Sequence, residues 1–244
     1  MEKNHFNIPN NKISIPAILW GKQSAKLLIE VHGNLSNKED TVISILAEKA
    51  VAKGYQVLSF DLPGHGERAD DNYECIPQNC VSDLIAVYRY ARSLASDISL
   101  FACSMGAYFS LLAYHDFDIK QCLFLSPVLN MELIIRNMME AFQVSEERLQ
   151  VEKQITLPIG QTLDWDYYCY VKKNPVCFDW KIPTSILYGS DDNLSEWEEI
   201  SVFAERYQAE VKVLEHGEHY FHTEEQLKVF ESWADDNLLQ NTVL

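Results

Sequence analysis

Short apolar runs alternate with stretches of helical periodicity along most of this chain. Buried strands are predicted at residues 26–31, 56–60, 98–102, 119–125, 183–188 and 210–214, with an edge strand at 13–20. Helices are predicted at residues 37–53, 80–96, 105–114, 195–207 and 221–238. The fourth of these helices is predicted to begin with a capping box formed by Ser195 and Glu198. This alternation predicts an α/β fold, with a mostly parallel sheet and helices on both of its faces.

The alternation breaks between residues 130 and 180. This segment has helical patterns at 131–142 and 145–154 and then a cluster of aromatic residues. A connection of about fifty residues is too long for a plain link between two strands. We therefore expect a small helical cap over the strand ends at residues 130–180, and a core made of residues 1–129 and 181–244.

One serine lies at the sharpest turn that the pattern predicts. Ser104 stands between a buried strand and an apolar helix, flanked two residues away on either side by Ala102 and Gly106. A residue in such a turn is held in a strained conformation with its side chain at the sheet edge, and the helix N-terminus beside it favours negative charge. A serine that merely caps a helix explains the same short motif equally well.

Two further strand ends carry the residue types that a serine nucleophile requires. A serine hydroxyl needs a base within hydrogen-bond reach, and the base needs a carboxylate that orients it. Asp192 and His219 each follow a predicted strand, and functional groups in parallel sheets collect at the carboxyl ends of the strands. Asp191 is an alternative to Asp192, although the spacing from Gly189 favours Asp192.

Charge and cysteine content narrow the classes of partner. The formal net charge of −16 argues against nucleic acid and anionic membrane surfaces as partners, and it disfavours polyanionic substrates. The six cysteines form no Cys-x-x-Cys pair, and no histidine spacing resembles a zinc site. No stretch approaches the roughly 20 apolar residues of a membrane span, and the N-terminus has no apolar signal region. We expect a cytoplasmic protein without metal or organic cofactor, in which Cys103 is a packed thiol without a redox role.

Five motifs resemble those of the α/β-hydrolase superfamily. They are HGN at 32–34, DLPGHGE at 61–67, ACSMG at 102–106, YGSDD at 188–192 and HGEHYF at 216–221. The resemblance covers the chain from about Leu27 onwards, except for the predicted cap. It is greatest to small serine esterases with a short helical cap, the group that includes cinnamoyl and feruloyl esterases and monoglyceride lipase-like enzymes. Ala102 stands where these relatives more often have glycine.

The resemblance implies a role for each matched residue. Ser104 corresponds to the nucleophile, His219 to the general base and acid, and Asp192 to the residue that orients His219. The backbone N–H groups of Asn34 and Met105 correspond to the oxyanion hole. The implied reaction is hydrolysis of a carboxylic ester, with a small, aromatic or medium-chain substrate, through an acyl-enzyme intermediate and without a cofactor.

Some other residues have less specific sequence signals than Ser104, Asp192 and His219. Trp165, Tyr167 and Tyr168 are predicted to contact substrate because a cap covers a pocket, although clustered aromatic residues more often belong to a core. His32 is expected to orient the oxyanion loop by hydrogen bonding to its backbone. His222 could be mistaken for the base, but we place it at the closing helix.

Several alternatives remain open at this stage. Thioesterase, amidase, peptidase, lipase and acyltransferase reactions use the same three residues. A serine at this turn argues against the dehalogenase and epoxide-hydrolase branches, which use aspartate there. A non-catalytic ligand-binding protein on the same scaffold is the alternative from another class, since one fold hosts many functions. The oligomeric state is not predicted.

Overall fold

A computed structural model gives the fold of residues 1–239. Its strands are β1 (Lys3–Asn10), β2 (Ile13–Trp20), β3 (Lys26–Val31), β4 (Gln56–Phe60), β5 (Asp97–Cys103), β6 (Cys122–Leu125), β7 (Gln154–Thr156), β8 (Thr162–Asp164), β9 (Thr184–Gly189) and β10 (Glu210–Leu214). Its α-helices are α1 (Thr41–Ala52), α2 (Pro77–Leu94), α3 (Met105–Tyr114), α4 (Met131–Ala141), α5 (Glu146–Glu152), α6 (Trp165–Lys173), α7 (Trp197–Tyr207) and α8 (Glu224–Asn237).

Eight of these strands form one sheet in the order β1-β2-β4-β3-β5-β6-β9-β10. The six strands from β4 to β10 in this order are parallel, and β1 and β2 are antiparallel to their neighbours. The prediction of a mostly parallel sheet is therefore confirmed. The carboxyl ends of the parallel strands meet at one edge, which is where the predicted site residues follow their strands.

Helices cover both faces of the sheet, as predicted. Alternate residues of a strand point to opposite faces, so Leu27 belongs to the apolar layer that contains α2 and α3, whereas Leu28 belongs to the layer that contains α1 and α8. Trp233 of α8 is almost fully buried in the second layer. Because both faces are covered, the central strands have continuous apolar sequences instead of alternating ones.

The prediction that residues 13–20 form the edge of the sheet is wrong. β1 lies outside β2 and pairs with it along its whole length. This strand escapes sequence analysis because most of its side chains are polar and exposed, and Ile8 is its buried residue. Pro16 is tolerated inside the sheet because the pairing of β2 with β4 begins only at Ala17.

The predicted capping box of Ser195 and Glu198 is also wrong. α7 begins at Trp197, two residues after Ser195. Its N-cap residue is Glu196, and no side chain makes a capping hydrogen bond. The backbone N–H of Ser195 instead donates to the carboxylate of Asp192, so this serine belongs to the loop that holds the carboxylate. A capping box does occur at α8, where Thr223 and Gln226 form the two reciprocal hydrogen bonds.

Other element ends shift by a few residues. α2 begins at Pro77, before the predicted residue 80, because proline fits the first turn of a helix. α1 begins only after Asp40, whose side chain accepts a hydrogen bond from the N–H of Thr41. β6 begins at Cys122 instead of residue 119.

The segment predicted as a cap lies between β6 and β9. It contains α4, α5, the small hairpin of β7 and β8, and α6, and their apolar residues join the same buried layer as α2 and α3. The division into residues 1–129, 130–180 and 181–244 stays a prediction, and residues 240–244 lie outside the described part of the chain. Within residues 1–239, no helix has both the length and the apolar composition needed to cross a membrane.

Candidate active site

Ser104 occupies the turn between β5 and α3 with a φ of 51° and a ψ of −126°. This left-handed conformation is strained for a residue with a side chain. Close packing around the turn enforces it. A Cβ atom on Gly106 would overlap the carbonyl oxygen of His32 and lie 2.9 Å from that of Val31, so only glycine lets α3 approach β3 this closely. The predicted strained turn is therefore present.

A chain of hydrogen bonds links Ser104 to His219 and Asp192. The Oγ atom of Ser104 lies 2.8 Å from Nε2 of His219, and Nδ1 of His219 lies 2.8 Å from Oδ2 of Asp192. A carboxylate can only accept here, so Nδ1–H of His219 donates to it and Nε2 is left to accept the serine proton. This is the arrangement that activates a serine hydroxyl.

Asp192 is held in a rigid and buried position. Its side chain is fully buried, and its Oδ1 atom accepts hydrogen bonds from the N–H groups of Leu194 at 2.9 Å and Ser195 at 2.8 Å. These bonds satisfy the oxygen that does not contact His219. The carboxylate is thereby aimed at the imidazole and shielded from water.

Asp192 contacts His219, whereas its neighbour Asp191 does not. Asp191 is exposed, and its carboxylate faces His216 at 3.4 Å on the protein surface. His222 is also half exposed, and its Nδ1 atom faces the carbonyl oxygen of Tyr220. Neither alternative contacts Ser104 in the described part of the chain.

The loop after β3 passes directly beside Ser104. A Cβ atom on Gly33 would lie 3.0 Å from Cβ of Ser104, so the backbone at Gly33 and Asn34 borders the serine. Within residues 1–239, the N–H of Asn34 makes no hydrogen bond. The next residue, Leu35, has a φ of 56° and an exposed side chain. The loop therefore has a free backbone donor near the position that a bound carbonyl would take.

Two hydrogen bonds of His32 hold this loop in place. Its Nδ1–H donates to the carbonyl oxygen of Gly33 at 2.7 Å, and its Nε2 accepts from the N–H of Leu62 at 3.0 Å. Burial lowers the pKa of His32 to about 4, so the ring is neutral at neutral pH and can make both bonds. The expected backbone hydrogen bond of His32 is thus observed.

A buried ion pair, which sequence analysis did not identify, supports the loop on its other side. Nζ of Lys38 lies 2.5 Å from Oδ2 of Asp61 and 2.6 Å from Oε1 of Glu67. A Cβ atom on Gly66 would overlap the carboxylate of Asp61. The signal in the sequence was an acidic residue directly after β4, followed by glycines at 64 and 66, both of which have positive φ values.

A cavity of about 490 Å³ opens beside Ser104. Its lining residues are Gly33, Asn34, Leu35, Ser36, Asn37, Asp40, Val42, Cys103, Ser104, Leu125, Leu194, His219, Tyr220 and Phe221. Sequence analysis missed the apolar side chains of Leu35, Leu194 and Phe221, although each lies within a recognised motif or at most two residues after one. The cavity is large enough for a small organic molecule and is largely apolar.

The predicted substrate residues of the cap lie elsewhere. Trp165, Tyr167 and Tyr168 are not among the residues that line this cavity. Tyr168 is buried, with its hydroxyl 3.3 Å from Glu146, and its ring centroid is 6.2 Å from that of Trp165. In this structure Trp165 and Tyr168 pack within the segment itself, whereas the phenol of Tyr167 lies near Cys75, Cys80 and Tyr108.

Cys103, the residue before Ser104, is buried. Burial raises the pKa of Cys103 to about 12, and its Sγ atom faces the carbonyl oxygen of Val31, as expected for a packed thiol. Across residues 1–239, no group of three or more His, Cys, Asp or Glu side chains is arranged to hold a metal ion.

A serine at a strained strand-to-helix turn, followed in the chain by an aspartate and a histidine at later strand ends, defines the class of α/β-hydrolase folds. The sequence profile of the alpha/beta hydrolase family matches residues 31–232. The chain belongs to this family. No curated protein sequence matches it significantly.

Solved structures with the same fold include several esterases. Est1E from Butyrivibrio proteoclasticus, solved with ferulic acid bound, has a TM-score of 0.80 and 21% identity over 95% of this chain and 96% of its own. The esterase Pf2001 from Pyrococcus furiosus has a TM-score of 0.72 and 19% identity over 96% and 89%. Mouse alpha/beta hydrolase domain-containing protein 10 has a TM-score of 0.77 and 16% identity over 96% and 97%. These similarities establish the fold.

Proposed function

We propose that this protein is a serine hydrolase that cleaves carboxylic esters through an acyl-enzyme intermediate on Ser104. The observation that carries the proposal is the hydrogen-bond chain from Ser104 through His219 to Asp192, with both contacts at 2.8 Å. An exposed serine rarely reacts at neutral pH, and such a chain supplies both the base and its orientation.

In the first half of the reaction, Oγ of Ser104 attacks the acyl carbon while Nε2 of His219 takes its proton. The buried carboxylate of Asp192 stabilises the imidazolium that forms. The negative charge on the substrate oxygen is stabilised by the backbone N–H groups of Asn34 and Met105. Losing one such donor typically lowers the rate by a factor of about 10² to 10³.

The first half ends when the bond between the acyl carbon and the alcohol oxygen breaks and His219 gives its proton to the departing alcohol. The second half removes the acyl group from Ser104. A water molecule then attacks the acyl group on Ser104, and His219 accepts a proton from this water. The tetrahedral intermediate collapses, the carboxylic acid leaves, and the serine recovers its proton. The contacts of His219 with Ser104 and with Asp192, both at 2.8 Å, support the proton transfers in these steps.

The cavity supports a neutral and moderately apolar substrate. Leu35, Val42 and Leu194 contribute aliphatic surface, and Asp40 contributes a carboxylate. Together with the net charge of −16, this carboxylate disfavours substrates that carry negative charge near the ester. Ferulic acid, bound in the structure of Est1E, is an aromatic acid, so aromatic acyl esters are the first class to test beside short and medium alkyl esters.

The cap aromatics have a separate proposed role. We propose that Trp165, Tyr167 and Tyr168 contribute to the binding of bulky esters through the segment that precedes β9. Trp165→Ala is then expected to raise KM for an aromatic ester and to leave KM for an acetyl ester unchanged. An equal effect on both esters would argue for a role in packing alone.

Labelling with a serine-directed fluorophosphonate tests the proposed nucleophile. The wild-type protein is expected to gain one adduct by intact mass, and Ser104→Ala is expected to gain none. Ser126→Ala is a matched control, since Ser126 also follows a parallel strand with a positive φ of 43°. This control variant should label like the wild type.

Two results would overturn the proposal. One is the absence of labelling in wild-type protein that thermal unfolding shows to be folded. The other is equal labelling of wild type and Ser104→Ala. Either would favour the ligand-binding alternative. If labelling succeeds, matched esters, thioesters and amides of one acyl group then establish the bond that is cleaved.

A further inference from the structure

Cys75 and Cys80 form a pair of thiols at the start of α2, away from Ser104. Their Sγ atoms are 3.7 Å apart. Cys75 is partly exposed in the loop before the helix, whereas Cys80 is buried within it. A disulfide requires an S–S distance of about 2.05 Å, so the sulfurs need to approach by only roughly 1.7 Å.

The turn around Cys75 is braced by its neighbours. The side-chain amide of Asn79 donates to the carbonyl oxygen of Glu74 at 2.9 Å, and the hydroxyl of Tyr73 donates to the carbonyl oxygen of Asn79 at 3.4 Å. The N–H of Cys80 donates to the carbonyl oxygen of Ile76, the residue just before α2, at 3.0 Å. The backbone therefore holds the two sulfurs face to face, and side-chain rotation can supply much of the remaining approach.

The surroundings of Cys75 favour its thiolate. A hydrogen bond from Cys80 is the largest cause that lowers the pKa of Cys75, and His65 and Arg68 act in the same direction, to a value of about 6. Its position just before an 18-residue helix adds the positive end of the helix dipole. Burial raises the pKa of Cys80 well above its ordinary range.

The two thiols therefore differ in the way that disulfide chemistry requires. Cys75 is partly exposed, and its pKa of about 6 favours the thiolate at neutral pH, so it can attack an oxidant. Cys80 is buried and protonated, but it lies directly beside the sulfur that would become oxidised. By contrast, Cys103 and Cys122 are buried, and burial raises the pKa of each.

We propose that Cys75 and Cys80 are an oxidisable dithiol, which a hydroperoxide converts to an intramolecular disulfide. With hydrogen peroxide, the thiolate of Cys75 attacks one oxygen, the O–O bond breaks, and the departing hydroxide takes a proton from solvent to leave as water. Cys75 is then a sulfenic acid. The sulfur of Cys80 attacks it, the S–O bond breaks, and the hydroxide leaves as a second water with the proton of Cys80.

The side chain of His65 lies between the dithiol and the loop beside Ser104. The His65 imidazole, which favours the Cys75 thiolate, has its Nε2 atom 3.2 Å from Oδ1 of Asn34. From the predicted cap, the phenol of Tyr167 also lies near the two cysteines; burial is the main cause that raises the pKa of Tyr167, and the two cysteines add to it. The proposed modification does not depend on the chemistry of Ser104.

Peptide mass measurement tests the proposal in a Cys177→Ser background, which removes an exposed thiol. The folded protein is treated with stoichiometric hydrogen peroxide, denatured, and alkylated with N-ethylmaleimide. Trypsin then releases residues 69–89 as one peptide that contains both cysteines. We expect this peptide to be unalkylated and lighter than its reduced form by two hydrogen atoms, and to recover both thiols with dithiothreitol.

Single variants separate the two steps. Cys80→Ser is expected to stop at a sulfenic acid on Cys75 that dimedone traps, and Cys75→Ser is expected to leave Cys80 unoxidised. Should Cys80→Ser fail to fold, the rate of iodoacetamide alkylation in the folded Cys177→Ser protein is measured instead. Cys75 should then react at least about 10-fold faster than Cys80.

The proposal would be overturned if peptide 69–89 kept two maleimides after peroxide while other cysteines were oxidised. It would also be overturned if Cys75 advanced to a sulfinic acid without forming the disulfide in protein that retains Cys80. Equal alkylation rates of Cys75 and Cys80 would contradict the proposed difference between them.

Discussion

Gly189 and Gly217 touch backbone to backbone, and a Cβ atom on Gly189 would overlap the carbonyl group of Gly217. Gly189 ends β9, and Gly217 lies in the loop after β10. The N–H of Asp191 also donates to the carbonyl oxygen of Gly217 at 2.8 Å. Since Asp192 and His219 lie in these same two loops, this contact sets the distance between the carboxylate and the imidazole.

Gly189→Ala is therefore expected to move His219 away from Ser104. The added methyl group has no space, so the two loops must separate, and a displacement of about 1 Å at a reacting group can cost 10²-fold in rate. We expect fluorophosphonate labelling at least about 10-fold slower than in the wild type. Gly160→Ala is the control for glycine replacement without a clash: its φ of 83° strains the alanine locally, but no atom lies within 4 Å of the new methyl group. If Gly189→Ala were labelled at the same rate as the wild type, the proposed role of this contact would be contradicted.

Asp192→Asn and Asp191→Asn form a matched pair that tests which aspartate orients the base. An amide at 192 cannot accept Nδ1–H with the same strength and favours the wrong tautomer of His219, so kcat should fall by roughly 10³-fold or more. Asp191 is exposed and faces His216, so Asp191→Asn should leave kcat within about 2-fold. The test is kcat on a p-nitrophenyl ester. A larger loss for Asp191→Asn would assign the role to Asp191.

The residues of the candidate site could be predicted because each depends on local features of the sequence. Ser104 lies between small residues at a strand-to-helix boundary, and Asp192 and His219 follow apolar strands. In a parallel sheet the carboxyl ends of strands converge, so strand order alone brings these residues to one edge. The same logic predicted the sheet and its covering helices.

Other features depend on contacts that no local pattern encodes. β1 is polar and becomes a strand only because β2 offers it an unpaired edge. Ser195 resembles a helix cap, but its N–H is used by the carboxylate of Asp192. The lining of the cavity depends on how the loops after β3, β9 and β10 pack around Ser104. Likewise, the Cys75–Cys80 pair needs a braced loop as well as a spacing.

Glu30 has a buried carboxyl group with an unusual effect on stability. It lies inside β3 between Ser59 and Phe101, and within the described residues neither of its oxygens has a hydrogen-bond partner. Burial raises its pKa well above the usual range. The folded state therefore keeps a proton that the unfolded state releases above pH about 4.3.

The sign of the resulting pH dependence follows from this difference. The contribution of Glu30 is fully present below the unfolded pKa and is lost as pH rises towards the folded pKa, by up to about 1.4 kcal/mol per pH unit. The free energy of unfolding of Glu30→Gln, measured with urea, should therefore rise relative to that of the wild type as the pH increases from 5 to 8. Glu48→Gln, at an exposed position of α1, should show no such trend. If the free energies of unfolding of Glu30→Gln and the wild type differed by the same amount at pH 5 and pH 8, the prediction would be contradicted.

Lys38 and Asp61 provide a final test, in which stability is the readout. Both side chains are buried, with 6% and 0% of their surfaces exposed, and their charges are 2.5 Å apart. Removing one partner of a buried pair leaves an unpaired charge, so Lys38→Met should lower the free energy of unfolding by about 3 kcal/mol. Lys228→Met removes an exposed pair with Glu224 and should leave the urea midpoint almost unchanged. Lys38→Met combined with Asp61→Asn should be more stable than Lys38→Met alone, because the uncompensated charge is gone. If the double variant is no more stable, loss of packing by the lysine side chain, and not an unpaired Asp61, causes the destabilisation.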